Sequence, residues 1–168
     1  MTSDPRNIDI PETCHPNTVA IYRYWLRKCG DRRMPRRADI DPLDMPKGLL
    51  PGICLVDVVS DHRRYVYRLV GTADAEVRGF DPTGKSVLDG FFGPSIDDVL
   101  SNYDRVVASK SPHIDLQHYT ATTGRYTTEE TLFMPLSDDG ENVNIVLVFS
   151  QSKELGAWSE LRSAFEAV

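Results

Sequence analysis

The chain has 168 residues, 40% hydrophobic and 26% charged, with a formal net charge of -6. That length supplies one well-buried core but not two comfortable domains, and the apolar share is too high for a disordered chain. The acidic balance argues against a general polyanion binder, so nucleic acid is not an expected partner.

The opening stretch, MTSDPRNIDIPETC, has neither the basic start nor the apolar run of a signal peptide, and no segment reaches the ~20 apolar residues that span a bilayer. Cys14, Cys29 and Cys54 form no paired framework, so a cytoplasmic protein without a membrane link is expected. From residue 16 to 29, Val19, Tyr22, Trp25, Leu26 and Cys29 recur at helical spacing, with Pro16 suited to a first turn and Gly30 to termination. Arg23, Arg27 and Lys28 mark the opposite face. With Arg32, Arg33, Arg36 and Arg37 they read as a solvated helix face followed by a basic loop. Asp41 and Pro42 cap a short helical turn that cannot pass Pro46. Residues 1–51 are therefore expected to form an N-terminal helical cap.

The core is expected over 52–151. Strands over 53–59 and 65–70 form a hairpin around 60–63. Thr72 caps a brief helix over 73–78 closed by Gly79, and Pro82, Gly84, Gly90 and Gly93 punctuate the next stretch of chain. Ser95 caps a longer helix whose Ile96, Val99, Leu100, Tyr103, Val106 and Val107 share one face and which ends before Pro112. The remainder reads as a three-strand antiparallel meander with turns at Thr123-Gly124 and at 137–140. Leu155, Trp158, Leu161 and Phe165 suggest an amphipathic C-terminal helix over 152–168. The order predicts an α+β fold, a five-stranded antiparallel sheet with helices on one face.

Several motifs invite chemistry. Gly79-Phe80-Asp81-Pro82-Thr83-Gly84-Lys85-Ser86 matches the phosphate-binding pattern G-x-x-x-x-G-K-[ST]. That loop needs a strand running into it and a long helix leaving it. Here a helix intervenes before it, and glycines and a proline come after it, so the glycines read as backbone turns and a nucleotide binder is the lesser alternative. His113 and His118 stand five apart in a strand and point to opposite faces, and nothing completes a metal set around Cys14-His15. Glu129-Glu130 point apart, and Asp138-Asp139 sit at a turn tip where water solvates them. No catalytic residues are assigned and no enzyme activity is expected.

Tyr67-Arg68-Leu69-Val70-Gly71-Thr72, Gly79-Phe80-Asp81 and Gly84-Lys85 resemble the PAS pattern. Tyr24-Trp25, Met34-Pro35-Arg36-Arg37, Asp39-Ile40-Asp41-Pro42, Leu50-Pro51 and Pro135-Leu136-Ser137-Asp138-Asp139-Gly140 more narrowly resemble the PAS-like family (PAS type 5) of stand-alone alphaproteobacterial proteins. The resemblance implies a PAS fold, a sensory or interaction module with an internal pocket, a homodimer through flanking helices, and output through a separate signalling protein. It names no ligand. Haem is not expected, because the helix that would carry an axial histidine has none, and covalent flavin photochemistry is not expected, because no cysteine lies in an Asn-Cys-Arg context. The candidate pocket lining is Tyr67, Leu69, Phe80, Phe91, Phe92, Val99, Tyr103 and Phe133, with plain core packing as the favoured reading. Arg68, a charge in mid-strand, should pair with a carboxylate, a carbonyl or a ligand anion; a structural partner on the cap is preferred. A ligand-free dimerisation module is the competing functional reading.

Overall fold

The computed structural model describes residues 3–93, 95–120 and 125–157. Helix α1 (Pro16–Cys29) begins where His15 Nδ1 accepts the Asn17 N–H at 3.0 Å and Pro16 fills the first turn, and it stops at Gly30, whose φ is 55°. Its buried side is Thr18, Ile21, Tyr22, Tyr24, Trp25 and Cys29, a broader stripe than the spacing suggests. Strands β1 (Ile53–Val58) and β2 (Tyr65–Val70) form the hairpin, followed by α2 (Thr72–Arg78), the single-turn α3 (Val87–Gly90) and α4 (Ile96–Ser109). Gly71, not Thr72, is the cap of α2; Thr72 already belongs to the helix. Ser95 caps α4 as expected, its Oγ accepting the Asp98 N–H at 3.2 Å.

Strands β3 (His113–Thr120), β4 (Arg125–Leu136) and β5 (Ile145–Ala157) complete an antiparallel sheet of order β2-β1-β5-β4-β3. Here β5 outruns its predicted length. Leu155 lies in the strand rather than a helix, because β4 offers pairing partners as far as Arg125 opposite Ala157. Ladder hydrogen bonds outweigh the local helical spacing. The predicted turn at Thr123-Gly124 and the rest of the C-terminal helix, 158–168, lie outside the described residues.

Alternation along the strands sorts the core into two layers. One face presents Cys54, Val56, Tyr67, Phe133 and Val148 to α2–α4, as contacts of Tyr103 with Phe133 and of Asn102 with Asp115 show. The other presents Ile53, Leu55, Leu132, Met134, Leu147 and Phe149, all buried. Helix α1 covers it. Thr18 Oγ1 donates to Glu130 at 2.6 Å and Asn17 Nδ2 to Gln151 at 3.0 Å, both on that second face.

The cap is sewn to the sheet by the segments that carry the family resemblance. Trp25 Nε1 donates to the Pro135 carbonyl at 3.0 Å, Ser137 N–H to the Pro35 carbonyl at 2.9 Å, and Arg37 N–H to Asp138 at 3.0 Å. Tyr24 accepts the Asp41 N–H at 3.0 Å. Asp139 accepts the backbone and side-chain N–H groups of Asn142, the Glu141 N–H and the Ser137 hydroxyl, which holds its carboxyl below the usual range. The two turn aspartates are exposed yet committed to protein donors, not merely solvated.

Candidate functional site

The space between the sheet and α2–α4 is filled by rings. Tyr103 stacks on Tyr65 at 4.8 Å between centroids and meets Phe133 edge-on at 5.1 Å. Burial pushes the Tyr103 hydroxyl well above its ordinary pKa. His113 continues the row at 6.4 Å from Phe133, with Nε2 3.0 Å from Asn102 Oδ1. At the other end, the Arg78 guanidinium lies 5.0 Å from the Tyr67 ring centre and donates to the Gly90 carbonyl at 2.8 Å and to Asp74 at 3.0 Å. The Cys54 thiol donates to the same carboxylate at 3.1 Å, and burial first, then Asp74, push it far above the range of a reactive cysteine.

The eight candidate lining residues do not meet around one chamber. Tyr67, Tyr103 and Phe133 are core, Phe91 and Val99 are half-buried at its margin, and Leu69, Phe80 and Phe92 are 42%, 42% and 54% exposed. The case of Leu69 has a specific cause. A β-bulge sets Tyr67 opposite Val56 and Leu69 opposite Leu55, so two residues that should share a face lie on opposite ones. Arg68 is the inserted residue, and its Nε reaches Asp57 at 2.7 Å. Its partner is therefore on the neighbouring strand, not on the cap.

In the phosphate-loop look-alike, Gly79 (φ 78°) ends α2 and Gly84 (φ 85°) turns the chain, as expected. The amides that would cradle a phosphate are already bonded: Thr83 N–H to Asp81, Gly84 N–H to the Tyr67 carbonyl, Lys85 N–H to the Pro82 carbonyl. Tyr67 N–H returns to the Lys85 carbonyl, so the run lies along the edge of β2. The helix after Ser86 has four residues.

His113 and His118 fall on opposite faces, as do Glu129 and Glu130. Glu130 accepts the His15 N–H at 2.9 and 3.0 Å and so anchors the start of α1. Sequence reasoning missed two clefts. One, of about 340 Å³, opens on the cap-side face between the start of α1 and the far ends of β3–β5. The other, of about 290 Å³, lies between α2 and residues 48–52, with Val77 and Phe149 in its wall. Only the strand register brings these residues together, and register is not written in local composition. No helix among the described residues is long and apolar enough to cross a membrane.

The PAS domain family model PAS_5 matches residues 13–149, and the chain belongs to that family. No curated protein matches. Among solved structures, the chain is similar to a light-oxygen-voltage domain studied with a flavin analogue: 8% identity, TM-score 0.45, over 68% of this chain and 84% of that one. It is likewise similar to a sensory box sensor histidine kinase from Vibrio cholerae: 20% identity, TM-score 0.46, 60% and 79% covered. A third is the LOV domain of a blue-light activated histidine kinase from Erythrobacter litoralis: 12% identity, TM-score 0.44, 62% and 94% covered.

Proposed function

We propose that this PAS domain is a cytoplasmic signalling module that acts by contact with a protein partner, self-association through its flanking helices included, and supplies no chemistry of its own. The supporting observation is the packed interior. Tyr65, Tyr103 and Phe133 are in ring contact where a PAS ligand would sit, and Arg78 closes the Tyr67 end. A ligand there has to displace at least one buried ring, which costs several kcal/mol, of the order of an aromatic core truncation. The competing reading, a small-molecule sensor, draws support from Phe91 and Val99, which stand half-buried at the margin of that cluster.

Native mass spectrometry of gently purified protein separates the two. We expect a dimer whose mass is that of two bare chains. A reproducible small-molecule adduct that survives purification and disappears in Tyr103→Trp, which overfills the interior, would instead establish the sensor.

A further inference from the structure

The cleft on the cap-side face lies away from the aromatic interior. Its floor is two cross-strand rows, Leu116–Glu130–Gln151 and His118–Thr128–Lys153, set about 7 Å apart along the strands. His15 and Pro16 form its wall. Two carboxylates border it: Glu130, already occupied by the His15 N–H and the Thr18 hydroxyl, and Glu129, which alternates to the other face and accepts the Thr131 and Ser152 hydroxyls at 3.4 and 3.5 Å.

The chemistry left over is donor chemistry. His15 Nδ1 accepts the Asn17 N–H, so the ring's own N–H sits on Nε2 and can donate. Lys153 is exposed, and among the described residues its ammonium has no carboxylate partner. Leu116, 42% exposed, and Pro16 add apolar surface between the donors. A volume of about 340 Å³ suits a small organic molecule.

The geometry points to an exchangeable site for a small organic carboxylate, its apolar body on Leu116 and Pro16 and its anionic end held by Lys153 and His15. Such a ligand touches the cap and the sheet together, so its binding stiffens the junction between the start of α1 and β3–β5. The site goes beyond the signalling reading and does not depend on it.

The test is an NMR titration of the ¹⁵N-labelled full chain with benzoate. Benzyl alcohol serves as the ring without charge and acetate as the charge without ring. Benzoate should give saturable shifts at the amides of His15, Leu116, Thr128 and Lys153. Benzyl alcohol should bind about fivefold more weakly, the ratio expected of one partly exposed charge contact, and acetate, which loses the apolar contact, should also bind more weakly than benzoate. Lys153→Gln should reduce benzoate to the level of benzyl alcohol while the rest of the spectrum stays in place. Scattered or unsaturable shifts, or a benzoate affinity unchanged in Lys153→Gln, overturn the site.

Discussion

At the scale of single residues, the molecule uses buried polar groups as fasteners between layers. Trp25 is wholly buried, and its one N–H finds the Pro135 carbonyl on the strand beneath it. His113 shows the same principle with a titratable group. Burial first, then the positive charge of Arg105, hold its imidazole below the ordinary pKa, with Asp115 opposing. An unfolded chain takes up that proton near pH 6.5. The contribution of neutral His113 to stability is therefore complete above about pH 6.5 and is lost as the pH falls through the lower folded value. Urea midpoints at pH 7.5 and 5.5 should differ more in the wild type than in His113→Gln, which can still bond Asn102 but cannot titrate. Equal pH dependence in the two proteins would refute this role.

At the scale of elements, the glycines at the two ends of α2 do different work. A Cβ on Gly71 would stand 2.1 Å from the Pro51 carbonyl oxygen and 2.8 Å from that of Ile53, neither of which can yield without moving the backbone. Gly79 faces open space and needs only its positive φ. Gly71→Ala should lower unfolding free energy by about 2–3 kcal/mol, the upper part of the overpacking range. Gly79→Ala should cost about 1 kcal/mol, the conformational term alone. Chemical denaturation of both variants checks the order, and a reversed order would mean that the start of α2 is not wedged against residues 51–53.

The elements also differ in how far the chain announces them. Helices α1 and α4, the hairpin and the meander can be read from spacing, because an amphipathic stripe or an alternating run reports local geometry directly. The face that α1 covers cannot, since its stripe says that one side is buried and not against what. The turn around Asp138 and Asp139 reads as solvent-exposed punctuation because the groups it bonds, Pro35 and Arg37, lie far upstream in the chain. Leu69 reads as a same-face neighbour of Tyr67 because period two is the right rule for an unbroken strand, and a bulge leaves no mark in composition. The cap-side cleft depends on the register of three strands at once.

At the scale of the whole molecule, the described residues ahead of β1, with α1 at their centre, supply one layer of the core. Without them, Ile53, Leu55, Leu132, Met134, Leu147 and Phe149 would form a continuous exposed apolar face, larger than a soluble monomer tolerates. A chain lacking residues 1–51 should therefore bind hydrophobic dye and aggregate. Recovery of a soluble monomer with a dispersed NMR spectrum would show that the cap is an appendage. The double covering has another result. With α1 paving the middle of one side and α2–α4 the other, the centre of the sheet is closed to outside proteins, and a binding partner is left with the perimeter: the rims, the outer surfaces of the helices and the unpaved far end. A protein that docks on this domain would have to feel the sheet through its coverings or along its edges.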